Sequence, residues 1–258
     1  MKKLASLIMA GIMCLSMASC GKKTASDKSY ITDNGKMVIG MTIYEPMNYE
    51  DENGELTGFD TEFAKAVCEK LGVEAEFVEI DWDNKFPELS SRSIDCIWNG
   101  MTITDEVRLN ADVSKAYVKN AQVVVMNKEK VADYQSLESL ADLKFAAEAG
   151  SAGETAIIDA GLEANLVSTA AQTDALLEVK SGSADACVID ITMANAMTGE
   201  GTSYAELGIA MELTTEEYGI AFRKGSDLTE EVNALMDELK ADGTLDALAE
   251  KYSLTLAL

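Results

Sequence analysis

Apolar and polar residues alternate in short runs along most of this chain, and between those runs the apolar positions recur at helical spacing. Residues 36–44, KMVIGMTIY, alternate and are rich in strand formers, which predicts a first strand. A loop with turn residues follows. In GFDTEFAKAVCEKLG, 58–72, Phe59, Phe63, Val67 and Leu71 fall near helical spacing. Asp60 or Thr61 suits the start of that helix and Gly72 its end. VEAEFVEI, 73–80, alternates as a second strand. Residues 81–93 give a loop and a short helix, IDCIWNG at 94–100 a short buried-type strand, and QVVVMN at 122–127 another strand.

From Tyr134 the order restarts. A short helix at 136–143 precedes a strand at 144–150, and a helix at 151–162 precedes a strand at 164–169. A helix at 171–182 leads into SADACVID, 183–190. EYGIAFRK at 217–224 returns as a strand, and terminal helices cover 228–253. Strands alternating with helices predict an α/β protein with parallel sheets, and the restart predicts two similar lobes. Each half carries nearly the same phrase: SRSIDCIWNG at 91–100 and SGSADACVID at 181–190. In open α/β sheets ligands lie beyond the carboxyl ends of strands. Two such edges facing each other would set Asn99, Gly100 and Thr102 on one side of a cleft and Asp190 on the other. The competing reading makes the shared Asp and its lead-in ordinary turn chemistry, and the two decapeptides alone leave both open.

Composition narrows the classes. The 258 residues are 47% hydrophobic, enough for one large domain or two small ones. There is no histidine, which removes the commonest metal ligand and general base and argues against triad hydrolases and most zinc enzymes. No metal or other cofactor is expected. Residues 1–19 read as a signal peptide: a basic MKK, then an apolar run too short for a comfortable membrane span. The run ends in MASC, which resembles a lipobox and makes Cys20 the expected lipidation site; residues 20–35 read as a polar tether. Taking Lys2 and Lys3 from 21 basic residues leaves 19 against 45 acids, a formal charge of −26. Such a surface repels nucleic acid and anionic lipid. Cys68, Cys96 and Cys187 sit in apolar patterns and read as buried small hydrophobes rather than disulfide partners.

From Met37 to Tyr252 the chain resembles the family 3 extracellular solute-binding proteins, the polar amino-acid receptors of ABC importers. The resemblance is carried by 36–72, by 81–104 (DWDNKFPELSSRSIDCIWNGMTIT), by AEAGSAGE at 147–154, by SGSADACVID, by 217–228 and by 232–252, in that order and spacing. It implies a two-lobed periplasmic-binding-protein type II clamshell with two hinge strands. Lobe one would take 36–122 and 218–258, and lobe two 126–214. It also implies an extracytoplasmic, lipid-anchored monomer that binds a small polar solute and docks on an ABC permease in the membrane.

The resemblance assigns roles residue by residue. Asp190 matches the family acid that takes the ligand ammonium; a helix cap for the following segment is its alternative role. The Gly100 carbonyl and Thr102 hydroxyl would share that ammonium, with Asn99 at the same lip. Ser151 and Ala152 would offer N–H donors to the ligand carboxylate at a helix start, and Ser151 can also cap that helix. Tyr44 and Trp82 would flank the ligand side chain. Apart from the family match, Glu148, on the strand before Gly150, would look into the pocket and either favour a cationic ligand or be bridged by water. One departure stands out. The family places an arginine three residues after the threonine at Thr104, where it clamps the carboxylate; here that position is Val107, and Arg108 comes one residue late. The ligand is then either an ordinary α-amino acid held by Ser151 and backbone donors, or another small polar amine. A cleft lyase or dehydratase on the same fold, and a non-transporting sensor or adhesin, are the rival classes.

Overall fold

The computed structural model describes residues 26–258; the expected signal peptide and the expected lipidation site Cys20 lie outside the described residues. Two open sheets are built on one plan. In the first, the strands run Glu74–Glu79, Lys36–Met41, Cys96–Thr102, Glu216–Phe222 and Asp112–Val113, with Val118–Asn120 also paired to Glu216–Phe222. In the second they run Leu166–Thr169, Phe145–Glu148, Ala186–Asp190, Gln122–Asn127 and Leu207–Glu212. Each sheet has three parallel strands followed by an antiparallel strand that comes from the far side of the molecule. The chain passes from the first sheet to the second at Ala121 and returns over residues 213–215. This is the two-lobed α/β architecture that the restart in the pattern predicts.

The repeated phrase lands on equivalent strands. Cys96–Thr102 and Ala186–Asp190 both lie third in the parallel order of their sheets. The shared aspartates do the same work in each: Asp95 accepts the Val38 N–H at 2.9 Å and Asp185 accepts the Lys144 N–H at 3.0 Å. Each pins its strand to the neighbouring one, so this pair of acids has the turn-and-edge role, while the cleft chemistry begins at the strands' far ends. Between Ile97 and Met101 the first of these strands bulges, three residues facing one on Glu216–Phe222. A bulge bends a strand and re-aims its side chains.

Helix Phe59–Leu71 buries Phe59, Phe63 and Val67 as its spacing predicts, and Gly72 closes it in the left-handed conformation. Its start differs from expectation. Gly58 is the N-cap, and Asp60 is turned instead to the Gly100 N–H at 2.6 Å. The tether reading also needs correction over part of its length. Residues Asp27–Asn34 form a helix capped by Ser26, with Ile31 fully buried and Asp27 paired to Arg223 at 3.0 Å. One fully buried apolar residue and ion pairs from Arg223, Arg92 and Glu231 hold it, and none of these has a periodicity to reveal. The strand Leu207–Glu212, half-buried along its length, escaped the pattern for a similar reason. Cys68, Cys96 and Cys187 are free and buried. Among the described residues no helix is long and apolar enough to cross a membrane.

Candidate functional site

A cavity of ≈ 260 Å³ lies between the lobes, just under the range of about 300–1,000 Å³ usual for drug-sized ligands. Trp82, Asn99, Gly100 and Thr102 line it from the first lobe, and Glu148, Ser151, Ala152 and Asp190 from the second. The strand ends meet as the α/β rule requires.

Asp190 closes the strand Ala186–Asp190 and is buried. Its Oδ1 accepts from Gln122 Nε2 at 2.9 Å, from Tyr218 OH at 2.8 Å and from Asn120 Nδ2. Its Oδ2 accepts from Gln172 Nε2 alone, so that oxygen keeps capacity for a further donor. Burial pushes its carboxyl up, and the Glu216 carboxylate nearby pushes the same way. Asp190 stands at the N-cap position of helix Ile191–Met197 but makes no side-chain cap bond there. Its side chain is committed to the cleft floor, not to the helix.

On the opposite lip Gly100 has φ +55°, and a Cβ there would come within 2.6 Å of the Tyr44 ring. Only glycine fits that conformation and that approach. Asp60 holds the Gly100 N–H, burial raises its carboxyl to about 7, and Tyr117 OH adds a bond at 2.9 Å. Thr102 Oγ1 donates to Glu216 Oε1 at 2.7 Å, which leaves its lone pairs for an incoming ammonium. Asn99 reaches the lip with its backbone only. Its side chain accepts from the Thr42 N–H and hydroxyl and donates to the Thr42 carbonyl and Asn48 Oδ1, so no group is left for a ligand.

Tyr44 does not line the cavity, contrary to expectation. It is 2% exposed, and its hydroxyl bonds Thr192 and Tyr218 beneath Gly100. Its ring supports the lip, and the bond to Thr192 joins one lobe to the other. Trp82 does line the cavity, from a short 3-10 turn.

Ser151 is the N-cap of helix Ala152–Asp159, accepting the Glu154 N–H at 3.1 Å. Capping and cavity lining therefore coexist, and the first N–H groups of that helix have no partner within it. Glu148 is 2% exposed, its Oε1 has no hydrogen-bond partner, and burial raises its carboxyl to about 8, the Asp190 charge adding to the rise. Val107 lines the cavity, whereas Arg108 sits on an outer surface groove with Asp112 and Lys224. The one-residue shift turns the guanidinium out of the cleft, as about 100° of helical rotation requires.

Sequence reasoning missed Lys85, Gln172 and Glu216. Lys85 lines the cavity and is 6% exposed; its Nζ donates to Gly150 O at 2.8 Å and Trp82 O at 3.1 Å. Burial lowers its pKa, and the nearest acids, Glu106 first and then Glu148, oppose that. Gln172 and Glu216 share the amide network around Asp190. A lysine in a polar loop and a glutamine at a helix start carry no spacing signal. Only the unusual charge of Lys85 inside DWDNKFPEL could have drawn attention.

A family model described as bacterial extracellular solute-binding proteins, family 3, matches residues 37–255. The ABC transporter glutamine-binding protein GlnH of Bacillus subtilis (strain 168) is 30% identical over 272 residues, covering 98% of this chain and 97% of its own. The L-arginine-binding protein of Pseudomonas aeruginosa is 32% identical over 269 residues, covering 98% and 96%. The crystal structure of the ancestral amino acid-binding protein AncCDT-1, a precursor of cyclohexadienyl dehydratase, matches with a TM-score of 0.80 and 34% identity, over 88% of this chain and 99% of that one.

Proposed function

The chain belongs to the bacterial extracellular solute-binding proteins of family 3, and from that membership we propose that it captures an α-amino acid whose side chain carries a hydrogen-bond donor or a positive charge. It is an extracytoplasmic amino-acid-binding protein of an ABC transporter, the class to which its relatives belong. The observation that carries the finer reading is the convergence of two half-sites on one cavity. Asp190 Oδ2, the Thr102 lone pairs and the Gly100 lip suit an ammonium, and the start of helix Ala152–Asp159 suits a carboxylate. The unpaired Glu148 Oε1 then asks for a donor on the side chain, because a buried oxygen without a partner is costly. The stretches Asn120–Gln122 and Glu212–Glu216 serve as the hinge, with lobe one over 36–122 and 218–258 and lobe two over 126–214. A lipid on Cys20 would anchor the protein, as a monomer, beside its permease.

The rival enzymatic reading gains nothing specific. The relatives are binding proteins, and the ancestral precursor of a dehydratase is itself amino acid-binding. A thermal-shift screen over the standard amino acids, cystine, simple amines and dipeptides tests the proposal. Ligand at a hundredfold excess over Kd should stabilise the protein by about 2.7 kcal/mol, without consumption of the ligand. A shift with dipeptides or amines alone, or turnover of the ligand, would overturn it.

A further inference from the structure

The cleft holds a buried cation that nothing assigned above employs. Lys85 opens helix Lys85–Ser91, and its Nζ lies 5.1 Å from the Trp82 ring centroid and the same distance from that of Phe86. It donates to two backbone carbonyls, those of Trp82 and Gly150. An ammonium has three protons, so one is uncommitted. No carboxylate pairs with it among the described residues, although Glu106 and Glu148 also line the cavity. A buried charge is normally paired, because its lost hydration is otherwise uncompensated.

The position of this ammonium is as telling as its burial. Gly150, which it bonds, precedes Ser151, the cap of helix Ala152–Asp159. The cation and the helix start therefore flank the same end of the cavity. Val107 on that cavity wall is apolar, and Arg108 is turned out to the surface groove. We infer that Lys85 is the specificity-determining cation of this site: its free proton takes the ligand carboxylate, which the helix start holds from the other side. The inference rests on the amino-acid reading above. It assigns the carboxylate a point charge from one lobe and dipolar donors from the other, so carboxylate recognition and closure of the lobes depend on each other.

Calorimetric titration of the purified protein with L-arginine, L-glutamine and L-histidine, each beside its α-carboxamide, tests this. The wild type should bind at least one free acid ten or more times more tightly than its carboxamide. Lys85→Met should weaken that acid by about 10- to 100-fold, the worth of a charge-assisted hydrogen bond, and leave the carboxamide within twofold. Lys85→Arg should keep the preference for the acid. If Lys85→Met proves unfolded in its melting curve, Lys85→Gln carries the same comparison. A variant without the ammonium that keeps the wild-type ratio of acid to carboxamide would overturn the role of Lys85 and leave the amino-acid reading intact. If the wild type binds none of the three, the same comparison is made with the amino acid that the thermal-shift screen returns; a wild type that binds no amino acid in that screen would overturn both.

Discussion

Single side chains set what this cleft can accept, and Glu148 sets its dependence on pH. Its folded carboxyl titrates at about 8, against an ordinary value of 4.5. Between those values the native state holds a proton that the unfolded chain releases, so the empty protein loses stability as pH rises through that window. A cationic side chain needs the ionised form. Affinity for L-arginine should therefore climb from pH 6 to pH 8.5, by up to about tenfold per unit below the titration point. Glu148→Gln should reduce that slope in calorimetry, with Asp190 keeping its own share because its carboxyl is raised as well, and remove part of the pH dependence of urea unfolding; an unchanged slope would show that Glu148 does not meet the ligand. At this scale the sequence was a partial guide. The place of Gly100, Thr102 and Asp190 around one cavity was legible because they lie at the ends of two strands that share one phrase. Tyr44 was misplaced by one layer, since nothing in a sequence tells a ring that faces a ligand from one that props the residue that does. Lys85 went unseen because its burial comes from packing against Gly150 of the other lobe, which no local pattern reveals.

Elements were read better than their ends. Helix Phe59–Leu71 follows from periodicity because it buries a full face, and the inner parallel strands Cys96–Thr102, Phe145–Glu148 and Ala186–Asp190 because they are buried throughout. Helix Asp27–Asn34 has no such face and is secured by charge. Arg223, with a side chain 10% exposed, bonds Asp27 and Asp95 at 3.0 Å each and the Ile94 carbonyl at 2.6 Å. The same Asp95 ties the repeated strand to Val38. Arg223→Ala would leave buried Asp95 without its cation and Asp27 with Arg92 alone, and should cost about 3–5 kcal/mol in urea unfolding. The helix Asp27–Asn34 should also lose amide-exchange protection before the rest of lobe one. A cost under about 1 kcal/mol would show that the helix docks by other means.

At the scale of the molecule, the two large sheets are joined where the chain crosses at Ala121 and 213–215, and their lobes touch again across the cleft where Lys85 meets Gly150. Tyr44, Tyr218 and Thr192 bond to one another at the base of that cleft. Motion should therefore be a hinge at the base, with the mouth contact made and broken. Solution scattering should show a larger radius of gyration for the empty protein than for the loaded one; equal radii would rule out closure as the means of capture. The clamshell itself was legible from the restart at Tyr134, and the crossings were not, because hinge segments carry no pattern of their own. The sulfur content has one further consequence. Burial disfavours the thiolate of Cys68, pushed up to about 12, and raises those of Cys96 and Cys187 as well. Thiol exchange proceeds through the thiolate, so an oxidising exterior finds no readily ionised thiol among the described cysteines. Those three side chains are thereby withdrawn from disulfide exchange with the medium.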